Sequence, residues 1–437
     1  MTILLVNPRT NRAGVSVDFR REPPNGLLTL ASALEIAGYS VQLLDLEQIA
    51  NPREELRDQL EGIEVIGLTF LTSTFPLAVD LARVCQEHAP HLPLLAGGPH
   101  ASFSPQECFD NMPNLAAVVI GEGELQIAQL VEHLTGGGME KQIDSLGTIP
   151  GIAYPVENGA ITTTPPPPPV DLKSLPLPAR HLLTSDYDIA TVIVNRGCPN
   201  KCSFCSRQSL FRTVRVRPVA SVLEELLQIQ SLPNYRYANL YDNVNTYPDF
   251  LPALCSGMQR LHFSLPWGAE IRIDHLTPNL AGQMRSANCA GIATGVETAN
   301  DALLRENGKM QKIKNVRRGL EVAVAADLTV QAYFVLGLPG ETLETFQQTI
   351  TFIESSPLRP GRDMVNFFPA TPYPGSRLAE QREDICWTLL NSNYEQWDCH
   401  HLVLCPSSLK AEELGSLYAE AEAFEKRFNG ESIPAQL

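Results

Sequence analysis

The stretch RGCPNKCSFC, residues 196–205, brings three cysteines, Cys198, Cys202 and Cys205, into eight positions. It follows directly on TVIVN, residues 191–195, a β-branched run that reads as a strand. Thiolates ligate soft metals and iron–sulfur clusters. A cubane held by three thiolates keeps one iron open to a chelating ligand. Two plainer readings stand beside this one. A structural zinc site normally closes a tetrahedron with four ligands, and the nearest candidates, His181 and His262, have no finger-like spacing. Three unrelated core thiols are the other.

Working outward, apolar runs at residues 237–241, 269–273, 292–296, 329–336 and 364–368 alternate with helical-period segments. Six strands joined in this way predict a partial or full β/α barrel, with chemistry at the strand carboxyl ends. Upstream, residues 162–164 (TTT) run into five prolines at 165–169, which favour an extended spacer. Before that break, candidate strands at residues 3–6, 41–44, 65–68, 93–96 and 117–120 alternate with amphipathic stretches. Parallel strands need crossover helices, so five such units predict a doubly wound parallel sheet whose ligands sit at its carboxyl edge. The expected class is therefore α/β: a Rossmann-like domain at 1–145, a proline-rich linker at 146–185, a partial (β/α)6 barrel at 186–378, and a small, mostly helical C-terminal region at 379–437. That last region ends in an acidic helix at 411–429 and is expected to close the barrel on its substrate side.

The 437 residues are 44% apolar, enough for more than one core. Lys plus Arg number 33 against 49 Asp plus Glu, a net charge of −16, which argues against nucleic acid and anionic lipid as partners. No apolar run reaches the roughly 18 residues of a membrane span, and the chain opens on a strand-like run, so a cytoplasmic protein is expected. Ten cysteines in such a chain are not a disulfide scaffold.

The cysteine loop after a first barrel strand resembles the radical S-adenosylmethionine superfamily. The resemblance implies a [4Fe-4S] cluster on Cys198, Cys202 and Cys205, with S-adenosylmethionine chelating the fourth iron and cleaved to a 5′-deoxyadenosyl radical. Phe204, just before the last cysteine, fills the position that lies near the adenine. Asp242 and Asn243, in YDNVN at 241–245, match the polar groups set against the methionyl amine. Residues 267–272 (WGAEIR) resemble the family's fourth-strand region, which implies ribose and carboxylate contacts for Glu270 and Arg272; an ordinary barrel ion pair is the plainer role. Glu297 in GVE and Gly337 in GLPGE match later strand ends, and TPYPGS at 371–376 matches the closing strand.

The first domain resembles cobalamin-binding domains. Thr69 and Leu71 match a Ser/Thr-x-Leu turn, with Ser73 and Thr74 beside it. Gly97 and Gly98 match a Gly-Gly turn that makes room for a buried nucleotide tail. Gly121, Glu122 and Gly123 follow the fifth strand. Many such domains carry Asp-x-His-x-x-Gly after strand one, the histidine being the lower ligand of cobalt. Here residues 7–14 read NPRTNRAG and hold no histidine. The implied cobalamin thus has no histidine lower ligand from this loop; Arg9, Arg12 and Thr72 are its conceivable neighbours. His100, in GGPH, reads as a loop cap, and Cys399, His400 and His401 match no familiar ligand set.

Together these resemblances imply a cobalamin-dependent radical methyltransferase. It would move a methyl group to an unactivated carbon of a small-molecule or natural-product substrate, with an external donor of flavodoxin or ferredoxin type. An oxidative cyclase or ring-rearranging enzyme with the same cofactors is the alternative, and a non-catalytic cobalamin or cluster sensor is a third.

Overall fold

The computed structural model describes residues 1–8, 22–47, 49–136, 146–157, 159–184, 187–241, 243–381 and 386–430. The chain forms two compact units, Met1–Ala13 with Pro24–Asp186, and Gly14–Pro23 with Tyr187–Leu437.

In the first unit, β1 (Thr2–Asn7), β2 (Ser40–Asp45), β3 (Val65–Thr69), β4 (Leu94–Gly97) and β5 (Leu115–Val119) pair in parallel in the order β2-β1-β3-β4-β5. The central runs are buried on both faces, as crossover helices require. The helix Asn25–Ile36 places Leu27, Leu28, Ala31 and Leu34 on one stripe, all buried. The helix Phe75–His88 does the same with Ala78, Leu81, Ala82 and Cys85. The order reverses between β1 and β3, and in such sheets the ligand crevice opens outside the carboxyl ends at that switch point.

Residues 146–185, expected to be a linker, instead supply two strands to this sheet. β6 (Ile152–Pro155) lies antiparallel to β5, and β7 (Ile161–Thr163) antiparallel to β6. The proline stretch stays on the same unit. Gly151 N donates to Pro165 O at 2.8 Å, Ala179 N to Leu28 O at 3.0 Å, and Ser32 Oγ to Leu177 O at 2.6 Å. Proline, which cannot donate to a ladder, is tolerated beside an edge strand such as β7.

The second unit is built on β8 (Ile189–Ile193), β11 (Tyr237–Tyr241), β12 (Trp267–Glu270), β13 (Cys289–Glu297), β14 (Thr329–Leu336) and β15 (Met364–Pro369). All pair in parallel in chain order, giving the six strands of a partial barrel. Between β8 and β11 lie β9 (Asn195–Arg196) and β10 (Arg215–Val216), an antiparallel two-residue clasp. Trp267–Glu270 is the third strand of this sheet, so the expected fourth-strand assignment of Glu270 and Arg272 is corrected; the intervening helices show that only β8 and β11 precede it.

The C-terminal region is less helical than expected. It holds an antiparallel pair, β16 (Trp387–Leu389) with β17 (Leu404–Pro406), before the helix Ala411–Asn429. That helix covers the free edge of β15. Asn429 Oδ1 accepts from Val365 N and Asn429 Nδ2 donates to Val365 O, both at 2.9 Å. Glu425 accepts from Phe367 N at 3.0 Å and from Asn366 Nδ2 at 3.1 Å. Side chains thus satisfy backbone groups that a further strand would otherwise pair. Among the described residues no helix is long and apolar enough to cross a membrane.

Candidate functional site

The cysteine loop hangs between β8 and β10, closed at its neck by the β9–β10 clasp. Its backbone is held from two directions. Ser203 N donates to Asn307 O at 2.8 Å, Ser203 Oγ lies 2.8 Å from Asn307 Oδ1, and Leu378 N donates to Ser203 O at 2.8 Å. Gly308, at φ +71°, lies flush on the loop: a Cβ there would stand 2.2 Å from Lys201 O. Only glycine gives both that conformation and that approach.

Cys198 and Cys202 are partly buried. Burial pushes the Cys202 thiol up to about 12, Lys309 pulling it down, and Glu297, Cys205 and Cys198 adding to the rise. The three sulfurs are therefore within electrostatic reach of one another. A thiol raised in this way is inert until a metal replaces its proton. Two amides face Cys198: Asn200 Nδ2 donates to its Sγ at 3.3 Å and Asn243 Nδ2 at 3.7 Å. Asn243 sits at φ +50°, while Asp242 lies outside the described residues. A donor set of three thiols on one pinned loop, with amides on a sulfur, fits a cluster whose fourth iron is left to another ligand.

Arg272 does not stand free in this site. Its Nε and Nη2 bind Asp274 at 3.1 and 2.8 Å, Nη2 also donates to Met310 O at 2.7 Å, and Nη1 donates to Asn200 Oδ1 at 2.8 Å. The side chain braces the cysteine loop rather than waiting for an anion. Glu297 binds Lys309 at 2.6 Å; the lysine was not singled out from sequence, because its partner lies 12 positions away across a turn. Phe204 is partly buried, packed against the apolar cluster that includes Leu303, Leu338 and Leu378. Gly337, at φ +85°, turns the end of β14, and its N–H donates to the buried Glu341.

Glu270 points the other way, into the sheet's inner face. On β11, Tyr237, Asn239 and Tyr241 share that face with it, as do Tyr333 on β14 and Phe368 on β15 by alternation. Each stays partly exposed although helices cover the outer face, so the lumen is open. Glu22 belongs to this unit and accepts from Tyr241 Oη at 2.8 Å and Asn239 Nδ2 at 3.3 Å. Burial pushes the Glu270 carboxyl up to about 7, Arg207 and Lys309 opposing and Glu22 adding to the rise.

In the first unit, the predicted residues gather at the carboxyl edge. After β3, Leu71 N donates to the Thr74 hydroxyl oxygen at 3.0 Å, closing the turn that carries Ser73. Gly98, at φ +93°, packs on that strand end: a Cβ would stand 2.7 Å from Thr69 Oγ1 and 2.9 Å from Phe70 O. The Gly97–Gly98 turn connects to the next one through Ser102 Oγ, which donates to Gly98 O at 2.8 Å and accepts from Gly121 N at 2.9 Å. Glu122 O accepts from Gln126 Nε2 at 2.6 Å, shaping the turn that includes Gly123. Leu71 and Leu125 remain 46% and 50% exposed on these loops, an apolar rim of the kind that a planar macrocycle would cover. His100 is buried, stacked on Phe75 at 4.4 Å with Nδ1 3.2 Å from Thr72 Oγ1, a structural placement. Arg9 and Arg12 lie outside the described residues.

In the C-terminal region, Cys399 Sγ lies 3.2 Å from Tyr373 Oη, and His401 Nδ1 is 3.0 Å from Asp398. His400 meets the Phe368 ring edge-on at 6.2 Å. No group of three or more His, Cys, Asp or Glu among the described residues is placed to hold a single metal ion.

Two family profiles match the chain: the B12 binding domain over residues 14–131, and the radical SAM superfamily over residues 192–353. An uncharacterised methyltransferase of Pyrococcus horikoshii is 29% identical, over 87% of this chain and 83% of its own. The anaerobic magnesium-protoporphyrin IX monomethyl ester cyclase of Rubrivivax gelatinosus is 24% identical, over 88% and 70%. Among solved structures, the radical S-adenosylmethionine methyltransferase TsrM of Kitasatospora setae, with cobalamin and a [4Fe-4S] cluster bound, superposes with a TM-score of 0.77 at 17% identity, over 98% of this chain and 92% of that one. At that identity the likeness is one of fold.

Proposed function

The chain belongs to the proteins that join a B12 binding domain to a radical SAM domain, and from that premise we propose a cobalamin-dependent methyltransferase acting on an unactivated carbon of a small molecule. The observation that carries this reading is the three-thiol loop pinned at the end of β8, in a chain whose other unit has glycine turns at the carboxyl edge of a parallel sheet. When bound, the cluster and S-adenosylmethionine supply a 5′-deoxyadenosyl radical, and cobalamin supplies the methyl group.

The chain's own residues then do four things. Cys198, Cys202 and Cys205 hold the cluster, and Asn200 and Asn243 donate to one of its sulfurs. Asn243 would meet the methionyl amine of S-adenosylmethionine, and Glu297 with Lys309 forms a fixed ion pair beside the loop. The turns at Thr69, Leu71, Gly97, Gly98 and Gly121 cradle the corrin and its tail. The barrel lumen holds the substrate and shields it from water. An external donor of flavodoxin or ferredoxin type supplies the electron, and a cytoplasmic setting suits it.

The test is anaerobic reconstitution with iron, sulfide and cobalamin, followed by S-adenosylmethionine and a reductant. Formation of 5′-deoxyadenosine that depends on the cluster, and of S-adenosylhomocysteine that depends on cobalamin, is expected. Failure to retain cobalamin, or cleavage without any S-adenosylhomocysteine, overturns the reading. The likeness to the Rubrivivax cyclase favours a second reading, an oxidative ring closure with the same cofactors. Product mass separates them: methylation adds one methyl group, and cyclisation removes hydrogens.

A further inference from the structure

We propose that residues 305–314 form the docking face for the protein that reduces the cluster, and that this partner is a small acidic one-electron carrier. This rests on Cys198, Cys202 and Cys205 holding a redox-active cluster, and it gives the external donor of the proposed reaction a named surface.

The segment is basic in an acidic chain. Residues 305–318 (RENGKMQKIKNVRR) carry six Lys and Arg against one Glu, in a protein of net charge −16. Arg305, Lys312 and Lys314 border one open groove of about 780 Å³, together with Met310, Asp274 and Asp301. Asp274 is paired with Arg272, and Lys309 with Glu297. Arg305, Lys312 and Lys314 are exposed and enter no ion pair among the described residues, which leaves three cations in the groove against the carboxylate of Asp301. Met310, 69% exposed, stands among these charges. An apolar side chain ringed by charges of one sign suits a brief encounter with a protein of the opposite sign. The charges steer the partner in, and the apolar contact excludes water at the centre.

This surface is joined to the cysteine loop. The Met310 carbonyl accepts from Arg272 Nη2 at 2.7 Å, Arg272 Nη1 donates to Asn200 Oδ1 at 2.8 Å, and Asn200 Nδ2 donates to Cys198 Sγ at 3.3 Å. Three hydrogen bonds and one guanidinium thus connect the exposed residue to a cysteine of the loop. The same segment is fastened to that loop at Asn307 O, which accepts from Ser203 N at 2.8 Å, and at Gly308, flush against Lys201 O. A carrier seated on Met310 reaches the cysteines through bonded and packed atoms. The step moves one electron: the reduced carrier loses it, the oxidised cluster gains it, and no covalent bond forms or breaks.

The experiment uses holoenzyme carrying cluster and cobalamin, with flavodoxin as the acidic carrier. Affinity for oxidised flavodoxin is read by fluorescence anisotropy, and cluster reduction by reduced flavodoxin is read by freeze-quenched electron paramagnetic resonance. Neither readout involves cleavage of S-adenosylmethionine or methyl transfer, so failure here is distinct from failure of the methyltransferase reading. Lys312→Glu with Lys314→Glu is compared with Arg236→Glu with Arg260→Glu. The second pair makes the same change in net charge at exposed positions leading into the amino ends of β11 and β12, whereas residues 305–314 follow the carboxyl end of β13.

The first pair should weaken flavodoxin binding and slow flavodoxin-driven reduction at least about tenfold at low ionic strength, and the second pair less than about twofold. Wild-type rates should fall as salt is added. Photoreduced deazariboflavin, a small uncharged reductant that needs no docking face, should reduce the cluster in all three proteins at equal rates, with iron and sulfide content unchanged. Equal losses in the two pairs, no flavodoxin binding by the wild type, rates indifferent to salt, or equal slowing with deazariboflavin overturns the proposal. So does retention of single-stranded DNA more tightly than flavodoxin, lost in the first pair, because the segment would then be a nucleic-acid surface.

Discussion

Arg272 Nη1 donates to Asn200 Oδ1 at 2.8 Å, and this bond decides which end of the Asn200 amide faces the cysteine loop. With the carbonyl taken, Nδ2 is left to Cys198 Sγ at 3.3 Å. Asp274 holds the arginine from the other side, so a buried ion pair sets the orientation of a hydrogen bond to the Cys198 sulfur.

Asn200→Ala should therefore leave cluster content intact and move the cluster's reduction midpoint to a more negative potential, because a donated hydrogen bond stabilises the more negative reduced state. Potentiometric titration followed by electron paramagnetic resonance reads this. An unchanged midpoint would show that the amide is merely packed there.

Gly308→Ala places a methyl group 2.2 Å from Lys201 O at a positive φ. The strain alone costs roughly 1–2 kcal/mol, and the clash adds to it. Iron and sulfide per chain should fall by at least about half after reconstitution, with cobalamin retention unchanged.

Gly98→Val has the opposite selectivity. Its branched side chain would press on Thr69 Oγ1 and Phe70 O, 2.7 and 2.9 Å from its Cβ. Cobalamin retained after desalting should drop by at least about tenfold while the cluster absorbance stays at the wild-type level. Loss of both cofactors together would point to general unfolding instead.

Glu341 is buried, and its carboxyl is pushed up to about 8 by burial, with the Gly337 and Leu338 N–H groups pulling it down. A carboxyl raised on folding means that the folded chain binds the extra proton. Its stabilising contribution is full below the ordinary carboxyl range near 4.5 and is lost as pH rises through 8. Melting temperature measured from pH 5 to 8.5 should decline in the wild type, and the decline should be shallower in Glu341→Gln. Equal slopes in the two proteins would contradict the assignment.

Strands were legible where short, largely apolar runs are bounded by turn residues. The expected 237–241 and 329–336 coincide with Tyr237–Tyr241 and Thr329–Leu336, and 411–429 with the final helix. The three-thiol loop was legible because its cysteines are local in sequence. What escaped is long-range. The bonds from Glu22 to Asn239 and Tyr241 span 217 and 219 positions, which no local pattern encodes. β6 and β7 are only four and three residues long and lie beside prolines, so their periodicity is too short to register. Arg272 was read as a ligand-facing cation from the family resemblance of WGAEIR, with which its spacing from Glu270 on one strand face agrees. The strand ends at Glu270, so the alternation does not carry to Arg272, whose guanidinium turns to Asp274 and Asn200.

The side chains of Glu425 and Asn429 act on β15 as a stopper. A shortened chain ending before the final helix would present the bare backbone of a sheet margin, and self-association into insoluble material would follow. The helix Ala411–Asn429 is thus a seal on the barrel wall.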